Sequence, residues 1–262
     1  MPTKSNLAKV NGIELGYQVF GKGKPMILLH GGFGSMDMFG PNIELLAQHR
    51  QVIGVDLQSH GRSPAAKRPM TWDAMADDVA ALVRELGFER AAIMGFSLGG
   101  GVALRTGIKH PDVVERLVLV STVFKNTGWY PEMVASMRAM GPETAEPMKQ
   151  SPMYADYQRV APKVDDWPIL AEQVTSLLKI DYDWSDEIPN LAMPVMIVVG
   201  DADGMPPRHA VEFFELLGGG KRDASWDRSG LTPHRLAILP GATHYDINIL
   251  PALSAAVIPF LS

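Results

Sequence analysis

The chain of 262 residues contains no cysteine, which excludes disulfides, thiolate metal sites and a cysteine nucleophile. Any covalent catalysis must use another side chain. Positive charge is also scarce. Against 29 acidic residues stand 24 lysines and arginines, a formal net charge of -5, and no basic cluster forms a footprint for a phosphate backbone. Nucleic acid is not an expected partner. No run of 18 apolar residues occurs, and the N-terminal Met-Pro-Thr-Lys-Ser-Asn lacks the apolar stretch of a secretion signal. There is no Asn-x-Ser/Thr sequon either, so the default expectation is a cytoplasmic protein with no membrane partner. No His-Glu-x-x-His pattern or dense His/Asp cluster points to a metal. Gly218-Gly219-Gly220-Lys221 is followed by Arg222, which breaks the phosphate-loop pattern and leaves a flexible turn. Neither metal nor cofactor is expected.

What is present is a globular composition, 46% hydrophobic and 20% charged, able to bury a large core. Length alone does not choose between one domain and two, and a single α/β domain with an insert fits. Six short, nearly continuous apolar runs read as buried parallel strands: Met26 to Leu29, Val52 to Val55, Ala91 to Met94, Leu117 to Val120, Val195 to Val199 and Leu236 to Leu239. Helical patterns separate several of them. The clearest covers Trp72 to Leu86, with Trp72, Met75, Val79, Leu82, Val83 and Leu86 on one stripe and Asp73, Asp77, Asp78, Arg84 and Glu85 on the other side. Thr71 can cap its start and Gly87 can end it. Asn11-Gly12, flanked by alternating apolar residues, predicts an antiparallel hairpin ahead of the parallel sheet.

The alternation of strand and helix stops between Phe124 and Leu191, where helix-like segments, prolines and five methionines (Met133, Met137, Met140, Met148, Met153) replace it. The methionines are expected to pack this insert against the main domain. The sharper alternative is an adaptable surface for an apolar ligand.

Chemistry concentrates at three strand ends. Gly95-Phe96-Ser97-Leu98-Gly99 directly follows the third run and precedes a glycine-rich helical segment, which is the strand-to-helix setting that exposes a serine on a sharp, strained turn. Gly200-Asp201-Ala202-Asp203-Gly204 puts acids just after the fifth run, and Pro240-Gly241-Ala242-Thr243-His244 puts a histidine after the sixth. Loops at the carboxyl ends of parallel strands converge, so a shared site is geometrically reasonable. Serine needs a base near neutral pH, and that base needs a carboxylate on its other ring nitrogen.

These residues, with His30-Gly31-Gly32-Phe33-Gly34 and Asp56-Leu57-Gln58-Ser59-His60-Gly61-Arg62-Ser63, resemble the α/β-hydrolase family over almost the whole chain. The resemblance implies a mostly parallel sheet with an N-terminal antiparallel ribbon. It implies a core of residues 1–123 and 192–262 and a helical cap at 124–191. It implies Ser97 as nucleophile, His244 as base and Asp203 as orienting acid, since Asp203 matches the family spacing from Gly200, while Asp201 is expected to fasten the loop. The oxyanion hole would be the amides of Gly32 and Leu98, with Phe33 the neighbouring alternative donor and more naturally a pocket wall. Met133, Met137 and Met140 are the further pocket candidates. His30 and His60 are expected to hold loops, and His49, His110, His209 and His234 to be peripheral. Two features depart from the family pattern: Ser59 stands where glycine is common, and Gly218 to Arg235, with Trp226, is long for its place, with loop packing its default role and contact with a cap, partner or pocket the alternative.

The expected activity is cleavage of a small or medium carboxylic ester through an acyl-serine intermediate. A lactonase, amidase, perhydrolase or carbon–carbon bond hydrolase would use the same residues, and a ligand-binding receptor of this fold with slow turnover is the alternative of a different class. The expected partner is a small-molecule ester or lactone, and oligomeric state is not legible.

Overall fold

A computed structural model describes residues 5–262; the reading made on Met1 to Lys4 lies outside them. The chain opens with β1 (Asn6–Val10) and β2 (Ile13–Phe20), a hairpin closed by Asn11 and Gly12 at positive φ of 45° and 82°. That is the conformation Asn-Gly adopts in a two-residue turn. Then come β3 (Pro25–Leu29), α1 (Asn42–Ala47), β4 (Gln51–Val55), α2 (Trp72–Glu85), β5 (Ala91–Phe96), α3 (Leu98–Lys109) and β6 (Val114–Val120). Residues 124–191 carry α4 (Pro131–Ala139), α5 (Pro152–Val160) and α6 (Trp167–Leu177) and, among the described residues, no strand. β7 (Val195–Ala202), α7 (Pro207–Leu216), β8 (Arg235–Thr243) and α8 (Pro251–Leu261) complete the chain.

The eight strands form one sheet in the order β1-β2-β4-β3-β5-β6-β7-β8, antiparallel from β1 to β4 through β2 and parallel thereafter. The continuous apolar runs have a simple cause. Successive side chains of a strand point to opposite faces, and here both faces are covered. Ile27, Leu29, Ile93, Leu117 and Ile197 share one core cluster with α2, α3 and α7, while Met26, Leu28, Met94, Val118 and Val198 share the other with α1 and α8. Among the described residues no helix is long and apolar enough to cross a membrane.

α2 begins and ends as expected: the Thr71 side chain accepts the Ala74 amide, and Gly87 takes φ 78° after the helix. Asp78, assigned to its polar side, is instead buried. It accepts from Asn11 Nδ2 at 3.0 Å and pairs with Arg68, so a tertiary contact with the hairpin overrides helical amphipathicity. β8 is a second correction. Among the described residues it pairs only with β7, at the edge of the sheet, and Ile238 is 40% exposed. His209 is a third: far from peripheral, it is buried and stacked on Phe124 at 4.3 Å, and burial pushes its pKa down to about 4. Trp226 is fully exposed, so it does not pack the 218–235 loop, which closes through its own bonds, such as the Gly230 amide to the Ala224 carbonyl.

Candidate active site

Ser97 occupies the abrupt turn from β5 into α3 with φ 53° and ψ -117°, a conformation costly for any residue with a Cβ. The turn folds the backbone tightly against itself. A Cβ on Gly95 would lie 2.1 Å from the Gly99 carbonyl oxygen, and one on Gly99 would lie 2.4 Å from that of His30. Glycine at both positions is what allows Ser97 to stand out from the sheet.

Asp203 and His244 meet because of strand register. β7 and β8 are neighbours with Ala202 opposite Thr243, so the next residue of each strand emerges at the same level. His244 Nδ1 lies 2.9 Å from Asp203 Oδ1, and its Nε2 lies 3.0 Å from Ser97 Oγ. The ring sits between Phe96 (5.1 Å) and the edge-on Trp129 (5.3 Å). Its loop is braced by Asp246, which accepts from the Thr243 amide at 2.7 Å and hydroxyl at 2.8 Å.

The Asp203 side chain is fully buried. Burial pushes its pKa upward, but bonds and charge from His244, with bonds from the Ser121 hydroxyl and Gly200 amide, outweigh burial and hold it below the usual carboxylate range. The Gly204 amide adds a bond of 2.7 Å. Asp201 points elsewhere: it is exposed and accepts the Gly241 amide at 2.8 Å, tying β7 to the bend in β8.

Leu98 opens α3, so its N–H is among the four that have no intrahelical acceptor at a helix start. Gly32 lies against it, 3.4 Å from a would-be Cβ to Leu98 Cδ1. Both line a cavity of about 490 Å³ together with Ser97 and Phe33. Phe33 is buried against Trp167 at 5.8 Å between ring centres. Met133, Met137 and Met140 line the same cavity, as do Met148 and Met153, while Met140 and Met148 also pack on the core. Packing on the core is thus seen for Met140 and Met148, and all five methionines border the cavity. Among the described residues, Arg138 is the one charged side chain in the lining, and it is paired with Asp181.

The two loop histidines hold backbone. His30 accepts the Leu57 amide at 3.0 Å and faces the Gly31 carbonyl at 2.7 Å; His60 faces the Gln58 carbonyl at 2.8 Å, and burial pushes its pKa down to about 3. Ser59 takes φ 62°, the conformation glycine would supply, and its hydroxyl donates to Gln173 of α6 at 2.7 Å. Sequence reasoning missed Ser121, Trp129, Trp72 and Tyr182 as parts of the site. For Ser121 the available signal is its position one residue beyond β6, at a strand end beside those that carry Ser97 and Asp203.

The family profile described as alpha/beta hydrolase fold matches residues 24–161, more than half of the chain, and the chain belongs to that family. Among curated relatives, the sn-1-specific diacylglycerol lipase ABHD11 of Danio rerio is 36% identical over 133 residues, 49% of this chain and 42% of that protein. The chain therefore spans less than half of that relative's length. The AB hydrolase superfamily protein YisY of Bacillus subtilis is 29% identical over 74% of this chain and 80% of its own. Among solved structures, a thermophilic esterase from Thermogutta terrifontis superposes with a TM-score of 0.73 at 23% identity, covering 99% of this chain and 98% of that one. The enol-lactonase of Burkholderia xenovorans gives 0.72 at 24%, covering 98% and 99%. Likeness at that identity establishes the fold.

Proposed function

We propose that this protein is a serine-dependent carboxylic ester hydrolase acting on uncharged substrates with an apolar acyl group. The observation that carries this reading is the hydrogen-bonded chain from Ser97 through His244 to buried Asp203 at the foot of the methionine-rich cavity. Ser97 Oγ attacks the ester carbonyl while His244 Nε2 takes its proton. Asp203 keeps the ring in the tautomer with hydrogen on Nδ1 and stabilises the imidazolium. The developing oxyanion is received by the amides of Leu98 and Gly32; one such donor contributes about 2.7–4 kcal/mol in the transition state. His244 then protonates the leaving alcohol, giving an acyl-serine that water, activated by the same histidine, releases as the acid. The residues 124–191 act as a cap that selects the substrate, and Met133, Met137 and Met140 form its adaptable wall.

The diacylglycerol lipase relative and the esterase and lactonase neighbours are in keeping with ester chemistry. The test is a turnover screen with p-nitrophenyl esters from acetyl to decanoyl, lactones and anilides. Multiple turnovers, best with medium uncharged acyl chains, are the expected result. Saturable binding with at most one covalent event per chain would instead make the protein a receptor.

A further inference from the structure

Ser121 lies one residue beyond β6, the strand that separates β5, which carries Ser97, from β7, which carries Asp203. It is almost completely buried and adopts φ 48°, a left-handed conformation unfavourable for a residue with a side chain. Its own amide is fixed to the Val198 carbonyl at 2.8 Å. That backbone strain has a visible product: the hydroxyl donates to Asp203 Oδ2. Each carboxylate oxygen thereby has one side-chain and one backbone donor. Oδ1 receives His244 and the Gly204 amide, and Oδ2 receives Ser121 and the Gly200 amide, the latter at a long 3.3 Å. Without the hydroxyl, a buried anionic oxygen would keep only that long bond.

We infer that Ser121 is a positioning residue, whose hydroxyl holds the Asp203 carboxylate with Oδ1 on His244 and limits how strongly that carboxylate attracts the imidazole proton. Its hydrogen bonds go to Asp203 and to the Val198 carbonyl, and it is not part of the cavity lining, so it acts through Asp203. The inference rests on the roles proposed above for Ser97, His244 and Asp203. Titratable or charged groups near the pair include Tyr245 beside His244, Asp246, engaged with Thr243, Asp201, engaged with the Gly241 amide, and Arg138 across the cavity, engaged with Asp181. Removing the hydroxyl concentrates charge on the carboxylate, which makes the neighbouring imidazole easier to protonate. The acidic limb of activity therefore moves to higher pH.

Ser121→Gly is the informative variant, because glycine accepts the positive φ without strain and so removes the hydroxyl without stressing the fold; Ser121→Ala serves as its strained companion. Both should lose about tenfold in kcat, the scale of a hydrogen bond to a charged group, with KM little changed. The His244 ring titration, followed by NMR in the resting protein, should move to higher pH in both. Wild-type kcat in Ser121→Gly, or a loss of kcat with an unmoved His244 titration, would overturn the inference. The NMR reading needs no substrate. Failure of the ester-hydrolase reading would show separately, as wild-type protein that neither turns over esters nor reacts with a serine-directed phosphonate.

Discussion

The floor and the roof of the cavity are built on opposite principles. The floor rests on strand ends: Phe33 and Ser97 in the lining, and Ser59 and Ser121 behind it, are residues other than glycine that hold positive φ, and a buried carboxylate is met by four donors. The Asp203 carboxylate cannot shift without losing a bond. The roof is made of short helices, and it is uneven. α4 buries none of its side chains, whereas α6 buries Trp167, Leu170, Ala171, Val174, Thr175 and Leu177. Strain and buried charge mark where a fixed geometry is maintained, and loosely packed methionines mark where a surface can accommodate different shapes. Changes in the floor should therefore scale all substrates alike, and changes in α4 should reorder them.

The sharpest test of that contrast is Ser97→Ala, which should leave the fold intact and lower kcat by about 10⁴-fold or more for every acyl length. Substrate-dependent losses, seen in initial rates across the ester series, would break the contrast. Asp203→Asn should cost about 10⁴ in kcat, because an amide neither neutralises the imidazolium nor enforces its tautomer. Asp201→Asn, which affects only the tie to Gly241, should stay within about tenfold, as expected for one exposed hydrogen bond. Circular dichroism should show both folded. A large loss for Asp201→Asn beside near-normal Asp203→Asn would exchange the two assignments.

Within the roof, Trp167→Ala removes a fully buried side chain that also donates to the Ala145 carbonyl at 2.8 Å, and urea unfolding should show a loss of about 3–5 kcal/mol. Val134→Ala, on α4, should cost under about 1 kcal/mol, since that side chain is not fully buried. Equal losses would mean that α4 and α6 are anchored alike. The remaining effect is on selectivity and belongs to Met133, Met137 and Met140. Their replacement by alanine should change the ratio of kcat/KM between short and medium acyl chains by about tenfold, the scale of one or two methylene contacts. An unchanged ratio in folded variants would remove the methionine wall from substrate selection.

What could be read from sequence follows the same division. The strand runs, the Asn11-Gly12 turn and the Gly95 to Gly99 elbow are local patterns dictated by backbone sterics, so they appear in the chain itself. The nearness of Asp203 to His244 is also half legible, because both follow strands of one sheet, although the register pairing Ala202 with Thr243 is needed to bring them level. The burial of Asp78 is not legible in the chain, because its partners, Arg68 and Asn11, reach it only through tertiary folding. The burial of His209 is not legible either, because it depends on Phe124 stacking on the ring. β8 read as buried since an apolar run does not reveal that a strand lies at an edge. Ser121 carries no motif, and its importance rests on a hydroxyl that meets a residue 82 positions away.

Reaction with a fluorophosphonate, followed by intact-mass measurement, peptide mapping and residual ester turnover on the same samples, tests the central claim most directly. The account predicts one phosphonyl group per chain, on Ser97, with activity lost in proportion to labelling and no label on the Ser97→Ala protein. Full turnover by protein stoichiometrically labelled at Ser97, or complete inactivation with the label on another residue, would contradict it.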